Sequence, residues 1–312
     1  MKKLITCLTA LLLPGCIEFE RQTLVFRHYP ETDTLVIWQH YEGIHGEDNE
    51  HDLSKKEREQ LHSVVNGQRT FFFGNWITEY NAEDTGKFIA EEEARLKKGF
   101  ASKPEADDAR QMLAFARMVR KSVIIKNGSF YLNQQKRLSA TQHVTLNNAG
   151  KITQDLNALF HMAILQSNRI FDVFGGIEEG APNIELLEKS AHAKMEYLTL
   201  KGQQLQFRWP MTAKHYQLGM REKSTAKLVE LARKGGVTIQ QKDNLLIITA
   251  GKLKAADTFV CIKLPDAAFQ PNATEAVSNR YGLTIVLDAA RTRAKFFKDC
   301  DIRYLKNSTV EK

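Results

Sequence analysis

With 312 residues, of which 43% are hydrophobic and 26% charged, the chain is long enough to bury a core unaided and too apolar to remain disordered. Its formal charge of +7 is spread out, with no run of five or more like charges, and this argues against a nucleic-acid-binding protein. A diffuse positive surface is compatible with anionic lipid or an acidic polymer as a neighbour.

The first element is a leader. Lys2 and Lys3 form a positive start, and Leu4 to Leu13 is an apolar run of ten residues. A bilayer span takes about 20 residues, so the run has the length of a signal-peptide core and not of a transmembrane helix. It ends in Leu13-Pro14-Gly15-Cys16, with Leu three positions before a Cys and a small residue directly before it. This segment resembles the lipobox of bacterial lipoprotein precursors; the resemblance covers residues 1–16 alone, and the mature chain resembles no functional family. In that family a diacylglycerol joins the Cys thiol, the preceding peptide is removed and the new amino group is acylated. Only Cys serves, because its sulfur is the nucleophile that becomes the thioether. The resemblance therefore implies a signal peptide at 1–15, lipid on Cys16 and a body over 16–312, with the charge falling to +5 once Lys2 and Lys3 leave. Two or three acyl chains hold a protein stably where one holds it marginally. Ile17, where inner-membrane members of the family often carry Asp, favours the outer membrane, with the body facing periplasm or surface. The alternative is an ordinary secretory signal that happens to end in Cys.

Cysteine usage fits export. Cys7 leaves with the leader and Cys16 takes the lipid, which leaves Cys261 and Cys300. They could pair, closing a loop worth about 3–4 kcal/mol on the chain-entropy model. Two separately buried thiols fit equally, and Cys261 lies in the apolar run Phe259-Val260-Cys261-Ile262.

In chain order, Ile17 to Phe26 and Leu35 to Tyr41 read as strands around a turn at Tyr29 to Asp33, and Leu35-Val36-Ile37-Trp38, apolar on both faces, reads as an interior strand. No Gly/Ser tether separates Cys16 from the first strand, so the body is expected against the membrane surface. The stretch from Gln39 to Asp52 is the densest polar patch. His40, His45 and His51 with Glu42, Glu47 and Asp52 are metal-ligand types, but their spacing matches no established motif, and a polar loop leaving a sheet and entering a helix explains them more simply.

A capping box at Ser54 to Glu57 opens a helix running to Gly67, and Phe71-Phe72-Phe73-Gly74-Asn75-Trp76 reads as core packing, with a ligand shelf or lipid-facing patch as alternatives. Helices are expected over Glu83 to Lys98 and from Ser102-Lys103-Pro104-Glu105 onward, the second burying Ala109, Met112, Leu113, Ala116 and Val119. Asn127-Gly128 predicts a hairpin between Val123 to Lys126 and Ser129 to Leu132, with a strand near His143 to Leu146 joining it. Lys151 to Asn168 is the clearest helix, and Gly175 to Pro182 marks a candidate subdomain boundary. Pro182 opens a helix to about Lys194. Hairpins follow at Tyr197 to Trp209 and Val237 to Thr249, with a helix from Thr225 to Lys234 between them. Strands at Phe259 to Leu264 and Leu283 to Leu287 precede a basic helix from Ala289 to Lys298.

Catalytic motifs are sparse. Ser224-Thr225-Ala226-Lys227 matches the SxxK of penicillin-recognising serine enzymes, but the Lys-Thr/Ser-Gly strand of that family is missing and a helix cap spells the same letters. Tyr197 and Lys201 have the YxxxK spacing of short-chain dehydrogenases without a glycine-rich dinucleotide turn. There is no phosphate loop, GxSxG elbow or CxxC, and no cofactor is expected.

The sequence thus predicts an α+β fold, mostly antiparallel sheet built from hairpins and packed with about six amphipathic helices. The expected role is a non-catalytic binding or structural component of the envelope, touching the bilayer through Cys16 and other envelope proteins or polymers through its body. The rival is an envelope hydrolase using Ser224 and Lys227, or a metal held between His40 and His51.

Overall fold

The long β-branched and aromatic runs between residues 21 and 42 form the centre of the molecule. In the computed structural model, which describes residues 17–46, 64, 69–70, 80–100, 102–132, 138–165, 184–221, 223–263 and 285–286, β1 is Ile17–Glu18, β2 Arg21–Tyr29, β3 Thr34–Glu42 and β4 His45–Gly46. A short 3-10 turn at Pro30–Thr32 joins β2 to β3, with Asp33 in the left-handed conformation at φ 48°. Helices α1 (Ala82–Lys98) and α2 (Lys103–Ser122) follow, then β5 (Val123–Leu132), β6 (Leu138–Asn147), α3 (Ala149–Leu165) and α4 (Ile184–His192). The remainder is β7 (Leu198–Lys201), β8 (Gln204–Pro210), α5 (Ala213–Arg221), α6 (Lys223–Lys234), β9 (Val237–Lys242), β10 (Leu245–Ala250), β11 (Thr258–Lys263) and β12 (Ile285–Val286).

The architecture is α+β. A six-stranded sheet has the order β11-β2-β3-β6-β5-β12, a four-stranded sheet the order β7-β8-β10-β9, and β1 pairs with β4. Among the described pairings only β12 with β5 is parallel. β3 lies between β2 and β6 with both edges paired, and its apolar run places Leu35 and Ile37 buried on one face and Val36 and Trp38 half-buried on the other.

One expectation fails. The Asn127-Gly128 pair is not a hairpin turn: β5 runs through it unbroken, and the ladder to β6 takes up a register shift between Asn127 and Phe130. The ten-residue β6 pairs with both halves of β5, so the flexible dipeptide serves as an irregularity within one strand. The strand expected over Leu35 to Tyr41 is β3, one residue longer at each end, so the polar patch that starts at Gln39 begins inside the sheet. α5, which the sequence reading passes over, buries no residue fully.

Among the described residues three apolar clusters hold the layers. Phe26, Leu35, Ile37 and Val144 of the large sheet pack on Leu198 and Leu205 of the small one, beneath Ala149 of α3. Phe88 and Ile89 of α1, Met112, Leu113 and Ala116 of α2 and Leu159 of α3 form a helical layer. Ile164, Leu187, Ala191 and Tyr197 join α3, α4 and the start of β7. The helix starts follow from their caps: the Asn81 side chain accepts from the amides of Glu83 and Asp84 (3.0 and 3.2 Å), and Ser102 Oγ accepts from the amide of Glu105 (3.4 Å). No described helix is long and apolar enough to cross a membrane.

Candidate functional site

The residues next to position 16 are built into the fold. Ile17 pairs with Gly46 and Glu18 with His45, so the chain after the cysteine enters a β-ribbon at once. The Glu20 amide donates to the carbonyls of Glu42 (3.0 Å) and Gly43 (3.2 Å), and the Ile44 amide donates to the Leu138 carbonyl (2.8 Å). Gly43 makes this possible with φ +67°, and the Glu20 side chain lies where a Cβ would stand, 2.5 Å from its Cγ. Phe19 is buried edge-on against the Tyr41 ring, with centroids 5.3 Å apart. The third residue after Cys16 is therefore part of the core.

Behind the ribbon lies a polar core on both faces of the large sheet. On one face Gln22 Nε2 donates to Tyr41 OH (2.6 Å), and Tyr41 OH donates to Gln39 Oε1 (3.4 Å). In the same row Gln142 Nε2 donates to the Arg69 carbonyl (3.1 Å). Gln39 Nε2 is buried with no hydrogen-bond partner among the described residues. On the opposite face His40 Nε2 shares a hydrogen bond with Tyr131 OH, and the two rings stack with centroids 6.0 Å apart. Thr23 and Thr141 flank His40 across β2 and β6, and Ser139 is paired with Tyr131, all of them buried. A His–Tyr pair is a competent proton donor and acceptor, but both side chains are about 1% exposed. Its effect is on strand register, since each partner would leave a buried polar atom unsatisfied if the strands slipped.

The same face becomes half-buried farther from the ribbon. There the Arg27 guanidinium lies 5.7 Å from the centre of Trp38, and Trp38 leans on His143 at 5.5 Å. The side-chain hydrogen bond to Asp257 holds Arg27 above its already high ordinary pKa against the opposing effect of burial.

At that far end the two sheets are hooked together. Gln203, in the β7–β8 turn, accepts from the His28 amide and donates to the His28 carbonyl, each at 2.7 Å, so its side-chain amide completes β2 as a strand neighbour would. His28 Nδ1 lies 3.1 Å from the Gly202 carbonyl and Thr258 Oγ1 donates to the Gln203 carbonyl. Against α3, Asn157 does the same for β7: its amide donates to the Leu198 carbonyl (2.7 Å) and its oxygen accepts from the Leu198 amide (2.8 Å). His161, beside the apolar stripe of α3, reaches the Met195 carbonyl through Nε2 at 2.7 Å.

Those of the residues singled out in the sequence that are described are not brought together. His40 is committed to Tyr131, His45 has only its place in β4 described, and Glu47, His51 and Asp52 lie outside the described residues. Among the described residues no group of three or more His, Cys, Asp or Glu is placed to hold a metal. Ser224 is the second residue of α6, and Lys227, one turn on, is exposed, whereas an SxxK lysine has to be enclosed to activate its serine. Tyr197 is buried and Lys201 is exposed at the end of β7. Cys261 pairs with Thr23 in the ladder of β11 with β2; of the helix from Ser54 only Val64, helical and buried, is described, and Cys16, Cys300, the Phe71 to Trp76 run, the 175–182 boundary and the Ala289 to Lys298 helix lie outside the described residues. The polar core was missed because Gln22, Gln39, Tyr131 and Gln142 are far apart in sequence; the only local sign was Gln39-His40-Tyr41, three polar-headed residues ending a strongly apolar strand. Comparison with protein-family models, with curated proteins and with solved structures finds no match for this chain.

Proposed function

We propose that this chain is a lipid-anchored component of a bacterial cell envelope, held through an acylated Cys16, whose body has a binding or structural role and not a catalytic one. The observation that carries the reading is the Leu13-Pro14-Gly15-Cys16 segment directly ahead of a strand that is hydrogen-bonded into the body from Ile17 onward. What supports a non-catalytic body is the placement of the candidate catalytic groups. His40 is enclosed with Tyr131 as its partner, and Lys227 stands on an exposed helix face.

The test is intact-mass spectrometry of the full chain expressed in a bacterium with lipoprotein-processing machinery. The expected product lacks residues 1–15 and carries the mass of a diacylglycerol and an amide-linked acyl chain; Cys16→Ala abolishes both changes. An unmodified thiol at Cys16 overturns the anchor, and a stoichiometric metal lost on replacing His40 and His45, or acylation of Ser224 by a β-lactam probe, overturns the non-catalytic role.

A further inference from the structure

We infer that the protein stands on the bilayer with the β1–β4 ribbon against the lipid headgroups, the strands of the large sheet rising away from it and the four-stranded sheet carried toward the far side. The inference rests on the anchoring of Cys16 proposed above and names the surface that then meets the membrane. Its basis is the lack of slack. Consecutive Cα atoms are about 3.8 Å apart, so a lipidated Cys16 lies one residue from Ile17, which is paired with Gly46. Phe19 is locked under Tyr41, and Glu20 is bonded to the backbone of residues 42 and 43. A flexible Gly/Ser tether of many residues would let the body tumble over the surface, whereas this one leaves about one residue free.

The direction away from the membrane is then set by the strands. β2 and β3 begin and end together at this edge, with Arg21 opposite Glu42, and they run to the Pro30–Thr32 turn. Nine residues at about 3.3 Å each put that turn about 30 Å from the ribbon. The same far end holds Asp33, which accepts from the Gly150 amide at the start of α3, and the Gln203 hook that fastens the four-stranded sheet to His28. The far end is thus the part of the described body held farthest from the bilayer, and the ribbon end is occupied by lipid headgroups.

The unsubstituted, acylated protein in vesicles of phosphatidylethanolamine and phosphatidylglycerol, doped with a phospholipid bearing a headgroup diazirine, tests this directly. After photolysis and peptide mapping, label in residues 17–21 and 42–46 is expected to exceed label in 29–34 and 148–151 several-fold. Equal or reversed yields, with Cys16 shown by mass to be lipidated, overturn the orientation and leave the anchor standing. An unlipidated Cys16 overturns the anchor and the orientation with it.

Discussion

At the scale of single residues, the buried polar groups carry specificity that the apolar ones cannot. His40 Nε2 and Tyr131 OH share a hydrogen bond inside the sheet, so Tyr131→Phe should cost about 1–3 kcal/mol by leaving that buried imidazole nitrogen with one partner fewer. Chemical denaturation with urea reads this directly, and an unchanged midpoint would show the pair to be dispensable. Asn157 is a stronger case, because its amide satisfies both the N–H and the C=O of Leu198. Asn157→Ala should destabilise by about 2–4 kcal/mol, the sum of two buried backbone groups left unpaired. Tyr197 adds a pH dependence. Burial raises its hydroxyl above the ordinary phenolic value, opposed by the bond to Ser190. A raised folded-state value means that the unfolded chain loses this proton first, so the contribution is whole below about pH 10 and falls as pH climbs beyond it. Tyr80, likewise raised mainly by burial, acts in the same direction. Tyr197→Phe should flatten the alkaline fall in the urea midpoint, and an unaltered profile would assign that fall to other groups.

At the scale of elements, local signals succeeded where one short stretch carried the whole cause. The Ser102 cap with Pro104, the stripe of α2 and the two-residue turn at Asp243 and Asn244, both at positive φ, are all sufficient in themselves. The Asn127-Gly128 signal was equally local and misled, because the long β6 ladder outweighed the turn preference of two residues. Turns near the junction are decided by space as well as by conformation. Gly251 has φ +79°, and a Cβ there would stand 1.9 Å from Thr258 Oγ1 and 2.1 Å from the Gln203 carbonyl oxygen. Gly251→Ala should therefore lose about 3 kcal/mol or more, combining left-handed strain with overpacking, where a merely flexible turn would lose far less. Thermal unfolding of the variant separates the two.

At the scale of the whole molecule, stability depends on the seam between the sheets. Phe26, Leu35, Ile37 and Val144 meet Leu198 and Leu205 there, and Gln203 and Arg27 fasten its rim to β2 and to Asp257. Gln203→Ala removes both hydrogen bonds to the buried His28 backbone and should cost about 2–4 kcal/mol. Because the apolar seam also unites the sheets, the loss should appear as one cooperative transition at lower urea. A separate early transition of residues 198–250 would mean that the seam is weaker than its packing implies.

The residues by themselves determined the α+β class, the interior position of β3, most of the described helix limits and the two later hairpins. Each of these rests on a period, a cap or a turn contained within about twenty residues. Only the tertiary structure decided that residues 17–20 are clamped to 42–46, that β11 returns to the edge of β2, and that Gln22, Gln39 and Gln142 are buried on one face of the large sheet with His40 and Tyr131 buried on the other. These depend on contacts between segments 19 to more than 200 residues apart, and a polar side chain carries no local mark of the group it will meet there.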